Sequence, residues 1–416
     1  EGVSSEAASL AGTQALGNLN VIYDDNRISI EGDTHVAFTE DVSARYRAYG
    51  WEVIDVAALS NGDVDLVNLD KAMSTAGRNL KQPTLIRLKT VIAWPAPNAK
   101  GTSKSHGSAL GAEEIAATKK ELGLNSEEHF AFPEKLLSHA RLVKERGAAA
   151  HDSWNKRFET WKKSEPERAK LLSRIMANEL PADWDLLVPN FEAGKDVATR
   201  KASGDVINAL AKKLPEMWGG SSDLAESNNT TIEGGESFLP SSSAMKSANP
   251  YGRIIHFGIR EHAMGSILNG IALSGLTKSF GGTFAVFSDY MRPAVRLAAL
   301  MKLPSIFVWT HDSIGLGEDG PTHQPIEHFA ALRAIPDFDV IRPADANEVA
   351  AAWKVIIKGR KASGILLSRQ NLPVFDRTKF GSVDGVARGA YILKEASKSP
   401  QLILMATGSE VSLAVE

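Results

Sequence analysis

Residues 253–265 read RIIHFGIREHAMG, and this segment decides the fold. Its first four residues form a short apolar run that predicts a buried strand, and apolar residues then recur at helical spacing from Ile267 to Ala272. Residues 260–262 therefore lie where a strand turns into a helix. In a parallel α/β sheet this is the carboxyl edge, where ligands bind. One alternative for Glu261 is purely structural, because a carboxylate at a helix N-terminus interacts favourably with the helix dipole.

The composition is that of an ordinary globular protein. The 416 residues are enough for two or three domains, with 43% hydrophobic and 23% charged residues. A net charge of −3 argues against nucleic acid or an anionic membrane as the main partner. The absence of cysteine excludes disulfides, cysteine metal sites and thiol nucleophiles, and fits a reducing cytosol. No apolar run approaches the roughly 18 residues that predict a membrane span.

Two further segments carry chemistry-bearing side chains. Residues 281–290 read GGTFAVFSDY, and residues 311–325 read HDSIGLGEDGPTHQP. Together with residues 253–265 they resemble the pyrimidine-binding domain of transketolase, a thiamine diphosphate enzyme. The resemblance extends along nearly the whole chain. It implies an internal portion that lacks the N-terminal part of the first domain and most of the C-terminal domain, in keeping with a first residue that is not Met.

Strands alternate with helical segments, which predicts an α/β fold of doubly wound, mostly parallel sheets. Residues 49–56 and 84–92 are examples of such strands, and residues 20–25 predict a further, buried strand. Residues 1–17 and 196–214 are predicted to be helices and residues 402–406 a strand, while residues 218–228 resemble a turn of the family. The resemblance implies a thiamine diphosphate-binding fold repeated in successive domains. The expected domains are the diphosphate-binding domain at 1–163, a linker at 164–194, the pyrimidine-binding domain at 195–378 and the start of a C-terminal domain at 385–416.

The segment Tyr23–Ile28 reads YDDNRI at the end of the strand at residues 20–25. From the residues alone it could be a capped turn. By resemblance it is the second half of the thiamine diphosphate motif, in which the Asn26 side chain and the Ile28 carbonyl bind Mg²⁺ or Ca²⁺ through oxygen. The first half, a Gly-Asp-Gly turn, is expected upstream of Glu1. His106, in a Gly- and Ser-rich loop, is either a solvated side chain or, by resemblance, a catalytic residue near the diphosphate and the reacting carbonyl.

The resemblance gives Glu261 a catalytic role. It implies a hydrogen bond from this carboxyl group to a ring nitrogen of the cofactor's aminopyrimidine, which activates the cofactor. The side chains of Phe284, Phe287 and Tyr290 recur every three residues, so they could share a face and pack in the core. By resemblance they instead form an aromatic wall around the aminopyrimidine.

The resemblance also implies a substrate site. A sugar phosphate is gripped through its phosphate, a hydroxyl next to the carbonyl is bound by an acidic side chain, and a histidine at the carbonyl end takes part in catalysis. The phosphate-binding residues are Arg200, Ser227, His311 and Arg369, the acidic residue is Asp319, and the histidine is His323, with His106 also contacting substrate.

The implied function is transfer of a two-carbon ketol unit from a ketose phosphate to an aldose phosphate, through a carbanion on thiamine diphosphate, in the pentose phosphate pathway. Family members are homodimers, so we expect a cytoplasmic homodimer. Two alternatives remain open. One is a related thiamine diphosphate enzyme, such as a dihydroxyacetone or deoxyxylulose phosphate synthase. The other is a truncated, non-catalytic module.

Overall fold

The computed structural model describes residues 2–416, which divide into two units. The N-terminal unit is Ala8–Pro166, and the C-terminal unit comprises Glu1–Ala7 and Glu167–Glu416. The helix expected over residues 1–17 runs from Gly2 to Thr13, and Glu1 lies outside the described residues. The finer domain boundaries given above stay a prediction.

The helices and strands alternate along most of the chain. From Gly2 to Met176 they are α1 (Gly2–Thr13), β1 (Asn20–Asp25), β2 (Ile28–Ser29), β3 (Gly32–Asp33), α2 (Val42–Ala48), β4 (Glu52–Val56), α3 (Leu66–Ala76), β5 (Thr84–Lys89), α4 (Ala112–Glu121), α5 (Glu134–Ser164) and α6 (Pro166–Met176). From Asp196 onward they are β6 (Asp196–Ala198), α7 (Thr199–Ala211), β7 (Met217–Ser221), α8 (Ala225–Asn228), β8 (Ser237–Phe238), β9 (Ala248–Asn249), β10 (Ile254–His256), α9 (Glu261–Ser274), β11 (Lys278–Phe284), α10 (Ser288–Leu300), β12 (Ile306–Thr310), α11 (His328–Arg333), β13 (Asp339–Ile341), α12 (Ala346–Lys358), β14 (Ser363–Leu367), β15 (Asn371–Pro373) and α13 (Glu410–Val415).

The N-terminal unit contains a parallel three-stranded sheet in the order β1-β5-β4. The central strand β5 is buried and supplies Leu85 and Ile86 to the core. The prediction that residues 20–25 form a buried strand is wrong about burial. β1 has a neighbouring strand on one side only among the described residues, and the side chain of Ile22 is 48% exposed.

The C-terminal unit contains an eight-stranded parallel sheet in the order β13-β14-β12-β11-β7-β10-β8-β9. The chain enters this sheet at β7 in its middle. It then builds β8 to β10 on one side of β7 and β11 to β14 on the other. The direction of winding therefore reverses between β7 and β11, which creates a topological switch point at the carboxyl edge. The predicted doubly wound, mostly parallel α/β architecture is confirmed.

Helices cover both faces of this sheet. Successive side chains of a strand point to opposite faces, so each central strand packs against helices on both sides. Phe280 of β11 belongs to a core cluster with residues of α7 and α12. A side chain at the next residue, Gly281, would instead meet Met264 and Leu268 of α9. The strands in the middle of the sheet are consequently apolar on both sides, as buried parallel strands usually are.

Three sequence predictions about elements are corrected. Residues 218–228 were predicted as a turn, but residues 217–221 form the central strand β7. The helix predicted to run from Asp196 to Leu214 begins at Thr199 and ends at Ala211, after the short strand β6. Residues 402–406 form no strand, and their apolar side chains are exposed because no neighbouring strand in the described part of the chain pairs with them. Within residues 2–416, none of the helices combines the length and apolar character that crossing a membrane requires.

Candidate active site

Glu261 is the first residue of α9, which residues 257–260 connect to β10, and lies at the carboxyl edge of the eight-stranded sheet. Its side chain is buried, with 8% of the residue exposed, and the Thr283 hydroxyl donates to its Oε1 at 3.4 Å. Burial raises the pKa of Glu261, which shifts its carboxyl group toward the protonated form. Such a carboxyl group can donate a hydrogen bond as well as accept one.

A second carboxylate lies at the start of the same helix. The backbone N–H of Ala263 donates to Glu6 Oε2 at 3.0 Å. This contact satisfies one of the free N–H groups at the helix N-terminus. The charge of Glu6 adds to the effect of burial on the pKa of Glu261. Sequence reasoning missed Glu6, which lies 257 residues before Ala263 along the chain.

The three predicted aromatic residues form a continuous row. Phe284 ends β11, Phe287 lies in a single 3₁₀ turn, and Tyr290 lies in the first turn of α10. The rings of Phe284 and Phe287 stack with centroids 5.6 Å apart, and those of Phe287 and Tyr290 lie 5.9 Å apart. Core packing describes Phe284, at 7% exposed, but not Tyr290, at 65% exposed. The row of rings therefore extends from the buried Phe284 to the solvent-exposed Tyr290.

His311 is the first residue after β12 and is 2% exposed, in the left-handed conformation with a φ of 61°. Its ring lies against that of Phe284, with centroids 3.8 Å apart, and its Nε2 lies 3.7 Å from Asp319 Oδ2. His323 contacts the aromatic row from the same loop, with its ring 5.3 Å from that of Phe287. Burial, and next the positive charge of Arg200, lower the pKa of His311 to about 4, so its imidazole is neutral at pH 7.

Two arginines lie at the same edge. Arg200, at the start of α7, donates from Nη1 to the Ser227 carbonyl oxygen at 2.8 Å, which places these two of the four predicted phosphate-binding residues together. Arg369, just after β14, donates from Nη1 to the Leu316 carbonyl oxygen at 2.9 Å and pairs with Glu318. Burial, and next the charge of Arg369, lower the pKa of Arg200. Two guanidinium groups that repel each other in this way are well placed to bind a multiply charged anion.

The structure therefore brings ten of the predicted residues to one edge of the C-terminal unit's sheet. They are Arg200, Ser227, Glu261, Phe284, Phe287, Tyr290, His311, Asp319, His323 and Arg369.

The other three predicted residues lie in the N-terminal unit. Asn26 Oδ1 accepts a hydrogen bond of 2.9 Å from the Ile28 N–H, and this turn places the side-chain oxygen close to the next residues of the backbone. An amide oxygen has a second lone pair, so the turn fits a site for a hard cation. His106 follows the 3₁₀ turn Ser103–Ser105 and is exposed.

Sequence reasoning also missed the polar residues behind the site. Asn228, at the end of α8, and Thr310, at the end of β12, are both fully buried and hydrogen-bonded to each other. Asp312 is 1% exposed and pairs with Arg342. The sequence shows only that a polar residue lies within or next to an apolar strand. Such a residue is expected to have a hydrogen-bonding partner, but the sequence does not identify it.

Comparison with known families matches most of the chain. Residues 1–181 match the family described as transketolase, thiamine diphosphate binding domain. Residues 195–374 match the family described as transketolase, pyrimidine binding domain. The two matches follow each other without overlap, and each unit of the structure contains matched residues.

Individual proteins give the same result. Over its whole length the chain is 55% identical to a transketolase of Mycobacterium tuberculosis (strain ATCC 25618 / H37Rv), of which it covers 60%, and 49% identical to one of Geobacillus stearothermophilus, of which it covers 61%. Among solved structures, transketolase of Pichia stipitis in complex with sedoheptulose 7-phosphate superposes with a TM-score of 0.94 at 44% identity, covering all of this chain and 60% of that one. Transketolase from Leishmania mexicana superposes with a TM-score of 0.93 at 39% identity, with the same coverage. The chain thus spans about 60% of the length of the relatives it matches.

Proposed function

The chain belongs to the transketolase family, and on that premise we propose that the whole protein transfers a two-carbon ketol unit from a ketose phosphate to an aldose phosphate. Thiamine diphosphate is the cofactor, and the reaction is that of the pentose phosphate pathway. Homodimer formation and a cytoplasmic location are part of the same proposal.

One observation carries this proposal above the others. A buried carboxyl group, a row of aromatic rings and a pair of guanidinium groups share the carboxyl edge of one parallel sheet. This combination suits a substrate that has both a neutral sugar chain and a charged phosphate. A structure of Pichia stipitis transketolase contains xylulose 5-phosphate, which is a molecule of that kind.

The residues present fit the cofactor. Glu261 is a buried carboxyl group with a raised pKa, and the adjacent stacked rings of Phe284 and Phe287 are flat and apolar. A carboxyl group of this kind can hold a proton against a ring nitrogen of a heterocycle that stacks on the rings. When bound, thiamine diphosphate supplies a nucleophilic carbon and an electron sink for carbon–carbon cleavage. The protein's own contribution is to bind, orient and keep the pocket dry.

We assign the other residues by their chemistry. Arg200 and Arg369 bind the phosphate, with Ser227 and the neutral His311 as further hydrogen-bonding groups. Asp319 accepts a hydrogen bond from a sugar hydroxyl, and His323 moves a proton at the carbonyl end. In the N-terminal unit, Asn26 and Ile28 supply two of the oxygen ligands of Mg²⁺ or Ca²⁺, and His106 acts at the diphosphate.

The test is turnover of xylulose 5-phosphate with ribose 5-phosphate by the whole protein and its Glu261→Ala variant. Loss of a positioned acid–base group typically lowers the rate by about 10²–10⁴. We expect a fall of at least that size in kcat, with an unchanged far-UV circular dichroism spectrum. Glu395→Ala removes an exposed glutamate of the same unit and should leave the rate unchanged.

Two results would contradict the proposal. Near-normal turnover by Glu261→Ala would remove the role assigned to this carboxyl group. Turnover of pyruvate in place of the ketose phosphate by the unmodified protein would favour a related synthase of the deoxyxylulose phosphate type.

A further inference from the structure

Three buried polar side chains form a chain of hydrogen bonds behind the candidate phosphate site. Asn228 Nδ2 donates to Thr310 Oγ1 at 2.6 Å, and Thr310 Oγ1 lies 2.9 Å from His311 Nδ1. Asn228 and Thr310 are 0% exposed, and His311 is 2% exposed. Because these groups are buried, the direction of each hydrogen bond follows from the number of donor hydrogens that each group carries.

The orientation of the Asn228 amide is fixed by a backbone group. Asn228 Nδ2 also lies 3.1 Å from the carbonyl oxygen of Thr283, which can only accept a hydrogen bond. Turning the amide over would place Oδ1 against that carbonyl oxygen. Both hydrogens of the amide nitrogen are therefore used, one for Thr283 and one for Thr310, while Asn228 Oδ1 has no partner among the described residues.

The direction of the Thr310 hydroxyl group follows. Thr310 Oγ1 accepts from Asn228, so its single hydrogen is free to point to His311 Nδ1. His311 Nδ1 is then an acceptor and carries no hydrogen. A neutral imidazole has one N–H group and one bare nitrogen, so the hydrogen of His311 is on Nε2.

The Nε2 side of the ring faces the substrate-binding groups. Nε2 lies 3.7 Å from Asp319 Oδ2, and the charges of Arg200 and Arg369 both act on the ring. A second proton on the ring would add an N–H group at Nδ1, which would point at the hydrogen of the Thr310 hydroxyl and displace it from the one acceptor it has within residues 2–416. This contact and the burial of the ring oppose protonation together.

We propose that Asn228 and Thr310 are positioning residues that hold His311 in the tautomer with its hydrogen on Nε2, so that a neutral N–H group donates to an anionic group of the substrate. The opposite tautomer would turn a lone pair toward that anion and repel it. The identity of the anionic group as a sugar phosphate rests on the function proposed above, whereas the tautomer itself does not.

The tautomer can be measured without turnover, by NMR of the protein labelled with ¹⁵N-histidine. The two ring nitrogens have different ¹⁵N shifts in the two tautomers, and His311→Gln identifies the signal. We expect the hydrogen of wild-type His311 on Nε2, a mixture of tautomers in Thr310→Val, and a return to the Nε2 form in Thr310→Ser. Thr230→Val is the matched control, because Thr230 is equally buried and its hydroxyl has no partner within residues 2–416.

The proposal is overturned if wild-type His311 carries its hydrogen on Nδ1, a result that needs no variant to fold. It is also overturned if a folded Thr310→Val protein keeps the wild-type tautomer, or if Thr230→Val changes the tautomer as much as Thr310→Val does.

Kinetics separate this proposal from the function on which it partly rests. Loss of one good hydrogen bond to the substrate's anion corresponds to about a tenfold change. Thr310→Val should therefore raise KM for a ketose phosphate by about tenfold with little change in kcat, and should have a much smaller effect on an unphosphorylated ketose. An equal effect on both ketoses would overturn the assignment of the anion. Absence of ketol transfer by the wild type, with the NMR results as expected, would overturn the proposed function and leave the tautomer assignment standing.

Discussion

A buried ion pair joins the active-site loop to the C-terminal segment of the chain. Arg342 Nε donates to Asp312 Oδ2 at 2.7 Å, and Asp312 is 1% exposed. The same guanidinium group lies over the ring of Phe329 at 4.5 Å and donates hydrogen bonds to Thr407, Ser409 and Glu410. Asp312 directly follows His311, so this pair fixes one flank of the candidate phosphate site.

Replacing Arg342 with methionine should destabilise the C-terminal unit strongly. Methionine keeps most of the length of the side chain but leaves the Asp312 carboxylate buried without a counter-charge. Breaking a buried pair in this way typically lowers the free energy of unfolding by about 3–5 kcal/mol. At about 2–4 °C per kcal/mol, Tm should fall by roughly 6–20 °C, which can be followed by circular dichroism.

Two further variants test the reasoning itself. Arg342→Met combined with Asp312→Asn removes the uncompensated charge, so we expect the double variant to regain most of the lost stability. Lys361→Met breaks the exposed pair of Lys361 with Asp339, which is 3.9 Å long, and should change the free energy of unfolding by less than about 1 kcal/mol. Two results would show that Arg342 does not compensate the buried charge of Asp312. One is an Arg342→Met variant that melts within 2 °C of the wild type, and the other is a double variant less stable than the single one.

Two other predictions concern the sheet and its edge. A Cβ at Gly220 would lie 1.8 Å from the carbonyl oxygen of Ile255, so Gly220→Ala should prevent folding of the C-terminal unit. Gly147 lies in the open middle of α5, so Gly147→Ala should raise the free energy of unfolding by about 0.5–1 kcal/mol. Urea unfolding of the two variants measures both effects. Because the pKa of His311 is lowered to about 4, the stability that its neutral form confers is present above about pH 6.5 and lost as the pH falls through 4. Between pH 7 and pH 4 the wild type should therefore lose up to roughly 3 kcal/mol more than His311→Asn, and parallel pH profiles for the two proteins would contradict this.

The sheet could be predicted where its strands are continuous apolar runs. β12 is such a run because a strand in the middle of a parallel sheet is buried on both faces. β7 was missed because Gly219 and Gly220 are typical of turns. In the structure, Phe280 and Ile255 approach these two positions so closely that only glycine fits, and both lie far away in the sequence. The opposite error occurred at residues 402–406, because an apolar run becomes a strand only beside another strand.

The candidate site could be located from sequence because the carboxyl ends of parallel strands meet at one edge. His311 directly follows a strand, and Glu261 and Arg369 come shortly after the ends of two others, so their proximity could be predicted from the order of elements alone. Their individual roles came from the family resemblance. The contacts that tune them could not be predicted, because a bond such as that between Glu6 and Ala263 joins residues whose distance in sequence carries no information about their distance in space.

The two titratable groups at the centre of the site respond to burial in opposite directions with the same result. Burial raises the pKa of Glu261 and lowers that of His311, so both are shifted toward their uncharged forms. Arg200 and Arg369 remain cationic because a guanidinium group keeps its proton at neutral pH. A charged His311 beside them would add a third positive charge to the cluster and repel them, whereas a neutral one adds a donor at no electrostatic cost. In the proposed function, the two charges and the neutral donors would bind the phosphate, while burial shifts the Glu261 carboxyl group toward its uncharged form.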